Sequence, residues 1–462
     1  MAPTKKKPSK NKPSTTSSFK PTARLSTAAA TQKTNNKMKS TETKIPKITN
    51  QKNTDKTNDT KQKIPDTEKI HTTAETRSNP ETQEQILIGF PNHLFKLETW
   101  DLNSNQQQVG IHFILYEHPI FYGHRQTPQK LNYNKSRLIY VRAAILAYLD
   151  YLKAHLGKPI TINTNSAHAS SNGASGQQTI KLLSVSFVSV DDCLANKSAL
   201  PTQINKLIKP KQHDKSAKTT TPTETTIKYW DPVDCELSHK VIESQIAHTG
   251  QQISITKLDS PLFLTTEADL AEYHSKHATG RFTHSAFYEW QKTRPAHKEF
   301  KFPGHSYDTQ NRGQMPLGTQ IPPLPTITPA DNKYLSAADQ YISKHLEWGA
   351  KTRPGVANQL SNIVFPISHE ATQDWFQNFL VKKLHKFGQY QDSIDGQARN
   401  YLFHSCISPM MNLGLITPHE VINAAHKYYQ AHQSEVGVAN YEGFIRQVIG
   451  WREYQRYIYI CR

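Results

Sequence analysis

Residues 442–454 read Glu442-Gly443-Phe444-Ile445-Arg446-Gln447-Val448-Ile449-Gly450-Trp451-Arg452-Glu453-Tyr454, and the fold turns on how they are understood. Arg446 and Arg452 put two forked cations on one short stretch, which suits an anionic group. Trp451 and Tyr454 offer ring faces to an aromatic heterocycle or a nucleic-acid base, a contact worth about 1–3 kcal/mol where it occurs. The same residues admit a structural account, with Arg452 and Glu453 as surface charges and Trp451 in a core.

Just upstream, Phe403-His404-Ser405-Cys406-Ile407-Ser408-Pro409 leads through Asn412 and Gly414 to Thr417, Pro418 and Glu420. The threonine as N-cap, proline at the first helical position and glutamate three residues after the cap make a capping box, so a helix starts there. Ser405 and Ser408, beside a helix end, either cap it or donate to phosphate oxygens. Taken with the arginines, the composition suits a dinucleotide. Further back, Trp375, Phe376, Phe379, Leu380, Leu384 and Phe387 recur at helical spacing, which reads as core packing. From Pro261 onward strand signals are few, apart from a Pro- and Gly-rich connector over 303–329, so an all-helical domain is expected.

Before Pro261 the periodicity differs. Ile86, Leu87 and Ile88, closed by Gly89, Phe90 and Pro91, predict a buried strand, and Ile111 to Leu115 predict a second. Leu138, Val141, Ile145, Leu149, Leu152 and Leu156 mark an amphipathic helix over 136–156, ended by Gly157 and Pro159. Pro159 to Asn163 predicts a third strand, and further strands are expected at 182–190, 227–230 and 253–258, with a helix over 235–249. This alternation favours a parallel α/β sheet. Ser/Asn/Gly-rich inserts near 166–178 and 206–225 are expected to be flexible loops.

The chain has 462 residues, is 36% hydrophobic and carries a formal charge of +18. Residues 1–85 hold 18 Lys/Arg against 8 Asp/Glu, with Phe19 their sole Phe, Tyr or Trp. Ordering each residue costs about 1–2 kcal/mol, and so little apolar burial offsets none of it, so this stretch reads as a disordered basic tail. It is either a solvated tail or one that condenses on nucleic acid by counterion release, led by Lys5, Lys6, Lys7, Lys10 and Lys12. No secretory signal pattern and no apolar run of bilayer length occur, so the expectation is a soluble protein with no membrane partner. Cys193, Cys235, Cys406 and Cys461 form no CxxC pair, which argues against a disulfide framework or zinc knuckle and fits an intracellular, reducing compartment. The common phosphate-loop, dinucleotide, zinc-helix and nucleophile-elbow signatures are absent.

From Phe387 to Tyr459, the run Phe387-Gly388-Gln389-Tyr390-Gln391-Asp392, the His404 to Pro409 segment, Asn412-Leu413-Gly414-Leu415, Gly443 to Gln447 and Gly450 to Tyr454 closely resemble the iron–sulfur bacterial cryptochrome/photolyase family. A thinner similarity, in the same order, runs back to about Ile86. The resemblance implies a Rossmann-like antenna domain over 86–258, a connector over 259–330 and a helical FAD-binding domain over 331–462 that is incomplete. It implies light-driven electron transfer from reduced flavin to a pyrimidine photoproduct in DNA. By position it makes His404, Ser405, Ile407 and Ser408 the flavin-phosphate segment with Tyr390 near it. Arg446, Gln447, Trp451 and Arg452 would line the pocket and approach DNA, and Glu117 with Tyr122 would lie at an antenna-chromophore pocket.

The departures carry expectations too. The family continues past Arg462 with further pocket helices, a histidine pair and most cluster cysteines, so none of these maps here and no iron–sulfur cluster is expected on this chain. Where the family has Gly-Asp-Gln-Leu, the chain has Gly89-Phe90-Pro91-Asn92-His93-Leu94, which weighs against antenna binding. The expected protein is one half of a split or truncated photolyase, completed by a second polypeptide, with no catalytic residue assigned. The alternative is a non-enzymatic, nucleic-acid-binding relic of the same fold.

Overall fold

The computed structural model describes residues 71–73, 83–100, 102, 108–125, 133–163, 177–208, 225–247, 253–277, 283–295, 297, 306–326, 328–345, 364–394 and 401–461. Most of the expected tail and nearly all of both expected inserts lie outside these residues.

Among the described residues seven strands form one sheet: β1 (His71–Thr73), β2 (Gln83–Gly89), β3 (Gln108–Tyr116), β4 (Pro159–Asn163), β5 (Gln177–Val188), β6 (Thr225–Trp230) and β7 (Ile253–Leu258). The order β5-β3-β2-β6-β7 is parallel throughout. At the centre, Ile86, Leu87 and Ile88 are all buried, as a strand covered on both faces requires. The β1 strand and β4 add antiparallel to the outer side of β5. Thus a piece of the stretch expected to be a tail, His71–Thr73, lies on the sheet edge.

The direction of β4 corrects the sequence reading, which put it in the parallel series. The parallel place beside β3 is taken by β5, paired from Gln108 opposite Thr179 to Tyr116 opposite Val188 with a one-residue shift between Ile111 and His112. This buries Ile180, Leu182, Val185 and Phe187. The β4 strand, with Ile162 as its buried side chain, is left to pair on the outside of β5.

The helices are α1 (Lys135–Ala154), α2 (Val190–Ala195), α3 (Ala199–Leu207), α4 (His239–Ala247), α5 (Glu267–His277), α6 (His284–Thr293), α7 (Pro329–Lys344), α8 (His369–Lys382), α9 (Ser408–Leu413), α10 (Pro418–Ala431), α11 (Gln433–Val436), α12 (Val438–Ile445), a π-helical segment over Arg446–Arg452, and α13 (Glu453–Cys461). The predicted stripe of α1, from Leu138 to Leu152, is buried, and α7 packs along the same helix. The expected capping box at Thr417 and Glu420 is present, and an unexpected one at Ser189 and Asp192 starts α2.

One hydrophobic core runs without a break from the α1 side of the sheet into α8, α10 and α12. The other sheet face packs Ile88 and Ile227 on Ile204, Ile242 and Ile246 of α3 and α4. A third cluster joins Leu270 and Tyr273 of α5 to Phe287 of α6 and Tyr457 of α13. Where the helical region meets the loop after β2, Leu94 N–H donates to Leu413 O at 2.9 Å. Gly414 ends α9 at φ 81°, and a Cβ there would stand 2.7 Å from the Phe95 ring, so the chain passes at a distance only glycine permits.

Candidate functional site

The chain crosses from one side of β2 to the other between β3 and β6, so the order of the parallel strands reverses at β2. In such sheets the loops beyond the carboxyl ends part at that point and leave a crevice. Here the crevice is a cavity of about 1060 Å³. Its sheet side is formed by Asn92 after β2, Phe121 and Arg125 after β3, Asp234 after β6 and Phe263 after β7, together with Tyr133, Arg137 and Tyr140 at the start of α1. Its helical side is formed by Phe365, Ser408, Asn412, Gln447, Trp451, Arg452 and Gln455.

The loop after β2 is pinned by His93, fully buried. Phe90 N–H lies 3.3 Å from its Nδ1 and Asp231 O lies 3.0 Å from its Nε2. A carbonyl only accepts and an N–H only donates, so the ring is the neutral tautomer with the proton on Nε2. Burial pushes its pKa down to about 3, against the pull of the Asp231 carbonyl. Next to it, Asn92 Nδ2 donates to Pro232 O at 2.9 Å, which leaves Asn92 Oδ1 buried without a hydrogen-bond partner.

Opposite, the π-helical segment sets two neighbouring side chains to different work. Trp451 is 45% exposed and stacks on His284 with ring centroids 3.8 Å apart and planes 11° from parallel. Arg452 donates from Nε to Leu262 O at 3.0 Å and from Nη1 to Asn412 Oδ1 at 2.7 Å, with its guanidinium over the Phe263 ring. Burial pushes Arg452 down to about 10, partly offset by Glu453, so the group stays cationic at neutral pH. One residue on, Glu453 turns to the loop after β7 and accepts from Leu264 N, Thr265 N and Thr265 Oγ1 at 3.0, 3.0 and 2.5 Å. Arg456 lies buried over Phe263 and reaches Asp259 at 3.4 Å and Asp231 at 3.7 Å. These contacts hold the Leu262–Phe263 wall against the start of α13.

Charge around the cavity is uneven. Arg125 is spent on Asp234 at 2.6 Å and Glu236 at 3.2 Å. Among the described residues Arg137 and Arg452 form no ion pair.

Of the nine residues singled out in sequence, Ser408, Gln447, Trp451 and Arg452 face the cavity; Tyr390, His404, Ser405, Ile407 and Arg446 are not among its lining residues. Two local geometries separate them. The chain turns through Cys406 at φ 50°, so Ser405 O accepts from Trp375 Nε1 at 2.9 Å and Ile407 enters the core, while Ser408 faces outward. Arg446 packs its guanidinium 5.6 Å from the Tyr288 ring, one residue out of phase with Gln447. Tyr390 is buried against Phe403, with ring centroids 5.6 Å apart, and His404 is half-buried.

Glu117 and Tyr122 are not cavity residues. Glu117 is fully buried, where it pairs with Arg142 and accepts from Tyr122 and from Val190 N–H. Sequence reasoning missed Asn92, Tyr133, Arg137 and Phe263, although the carboxyl ends of the predicted strands point to the first and last of these. Among the described residues no group of three or more His, Cys, Asp or Glu could hold a metal ion, and no helix is long and apolar enough to cross a membrane.

Residues 181–358 match the family model of deoxyribodipyrimidine photo-lyase-related proteins. The chain is similar to photolyase-related proteins. It is 29% identical over 154 residues to a (6-4) photolyase of Agrobacterium fabrum, covering 33% of this chain and 28% of that one. It is 44% identical over 70 residues to an uncharacterized protein of Acanthamoeba polyphaga mimivirus, covering 15% of this chain and 52% of that one. The matches thus span about half or less of these relatives' lengths. A crystal structure of a bacterial class III photolyase from Agrobacterium tumefaciens aligns with a TM-score of 0.45 at 11% identity, over 84% of this chain and 61% of that one. The photolyase-related match at 181–358 covers the strands and loops behind Asp234 and Phe263, and the nine motif residues lie beyond it.

Proposed function

We propose that the chain is a photolyase-like flavin-binding protein that holds FAD in the cavity between the carboxyl edge of the sheet and the helical region. The reading rests on one convergence: Ser408, Gln447, Trp451 and Arg452, singled out by motif, line a cavity at the switch point of a parallel sheet. The donor set fits the group. The volume of about 1060 Å³ stands at the upper end of ligand sites, which run about 300–1,000 Å³. Asn92 Oδ1 is a buried acceptor suited to a ring N–H, Trp451 offers a face for stacking, and Ser408 with the cationic Arg452 suits phosphate oxygens. Ser405, whose carbonyl accepts from Trp375, and Ile407, buried in the core, act by fixing the turn that presents Ser408.

A bound flavin would supply light-driven electron transfer to a DNA photoproduct; the chain's own residues bind it, orient it and keep water from it. DNA is the proposed partner, and a second polypeptide bearing the further helices of the family is the proposed complement for repair. Titration of the purified protein with FAD, followed by quenching of flavin and tryptophan fluorescence, tests the reading. Saturable binding, weakened about 10-fold or more by Arg452→Ala, is expected. No binding, alone or with the complementing polypeptide, overturns it.

The basic stretch over 1–85 favours a second reading, a non-enzymatic nucleic-acid binder. It predicts salt-sensitive, sequence-indifferent DNA binding that survives Arg452→Ala and loses salt slope when residues 1–70 are removed.

A further inference from the structure

The sheet side of the cavity holds a cation that the motif reading leaves without a role. Three basic side chains stand around the start of α1. Arg125 is neutralised by Asp234 and Glu236. Lys135 is buried and bound to Asp339 at 2.8 Å and Ser343 at 2.8 Å. Arg137 alone of the three has no carboxylate among the described residues, and it lines the cavity. Its Cζ lies 3.9 Å from the centroid of the Tyr133 ring.

That contact limits what Arg137 can do. A guanidinium held against a ring face keeps its N–H groups in its own plane, directed past the ring edge, where a fork of donors can take two oxygens of one anion. The stacking also restrains a long side chain, so less freedom is lost when an anion binds. Between Arg137 and the helical side the wall is apolar and aromatic, with Phe121, Tyr140 and Phe263. A ligand that satisfies both ends therefore has a planar apolar body and an anionic tail.

We infer that Arg137, braced by Tyr133, recognises the phosphate of a flavin nucleotide and makes the cavity select phosphorylated flavins over the neutral flavin. This rests on the flavin reading above and adds to it a specificity residue on the α/β side. The inference assigns binding, and no bond is made or broken.

The test measures the affinity of the full-length protein for riboflavin, FMN and FAD by fluorescence titration, for wild type, Arg137→Gln and Arg137→Lys. Wild type should bind FMN and FAD about 10-fold or more tightly than riboflavin, as a charge-assisted fork implies. Arg137→Gln should remove part of that preference, Arg452 and Ser408 carrying the rest, and leave riboflavin affinity unchanged. Arg137→Lys, which keeps the charge and loses the fork, should fall between. Arg137 is exposed, and near-ultraviolet circular dichroism should show both variants folded. Equal weakening for all three flavins, or an unchanged preference in Arg137→Gln, overturns the assignment of Arg137 while the flavin reading stands. A wild type that binds none of the three overturns both.

Discussion

The loop after β2 and the start of α13 each fix one wall of the same cavity, and they do so with opposite electrostatics. Around the first, His93 and His369 are held as neutral rings. His93 bridges Phe90 and Asp231, and His369 bonds Leu94 O at 2.7 Å through Nε2, with burial pushing the two down to about 3 and about 4. Around the second, Arg456 sits between Asp231 and Asp259, Arg452 stays cationic, and burial pushes the Glu453 carboxyl above its ordinary value against the pull of its Thr265 and Leu264 donors. The difference teaches that acid acts on the two walls with opposite sign. A histidine whose folded pKa is depressed contributes stability that is present above about 6.5 and is lost as pH falls toward the folded value. A carboxyl whose folded pKa is raised does the reverse: its contribution is complete below its unfolded value and fades as pH rises through the folded one.

The harshest test goes beneath the sheet-side wall. Glu117→Ala would leave Arg142 buried without its counter-charge, and a loss of about 3–5 kcal/mol in denaturant unfolding is expected. A loss near zero would mean that Arg142, whose guanidinium lies 4.0 Å from the Tyr341 ring, is held by the ring alone. Next comes pH. Between pH 6.5 and 5 each of His93 and His369 should cost about 2 kcal/mol of stability, read as a falling urea midpoint, and the double variant to Gln should flatten that slope. A slope unchanged in the double variant would break the contrast between the walls.

On the helical side, Glu453→Gln should cost about 1–3 kcal/mol, because an amide cannot accept from Leu264 N, Thr265 N and Thr265 Oγ1 as a carboxylate does. Hydrogen exchange should quicken at Leu264 and Thr265 before it quickens in β2. The smallest effect belongs to Gly450, where a Cβ would stand 2.9 Å from His284 Nε2 and 3.2 Å from Tyr288 Cδ2. Gly450→Ala should cost about 1 kcal/mol, since the nearest atoms are ends of side chains, and should red-shift Trp451 emission as the stack on His284 opens.

What could be read in the sequence followed the range of the interaction responsible. The β2, β3, β6 and β7 strands and the α1 stripe announce themselves by runs of apolar residues a few positions apart, and Thr417 with Glu420 by a cap that needs no tertiary partner. The pairing of β4 does not, because β5, further along the chain, decides which side of the sheet is left for it. The motif named Ser405 with Ser408 and Arg446 with Gln447, and no local pattern separates the members of each pair. The positive φ of Cys406 and the phase of the π-helical segment choose Ser408 over Ser405 and Gln447 over Arg446. Tyr133 and Arg137 carry no local signal, since a strand order has to be known before the start of α1 can be seen to meet the loops after the strands.

The widened turn over Arg446–Arg452 has a consequence for how this wall can vary. In an ordinary helix each residue advances the azimuth by about 100°, so dropping one residue from that turn would swing everything after it by about that angle. Glu453, now aimed at the loop after β7, would take the outlook on the crevice that Arg452 has, and each residue behind it would move back one place in the same way. A one-codon deletion could therefore reverse the polarity of the opening without altering a single side chain, which makes backbone phase a heritable dial for the kind of molecule admitted there.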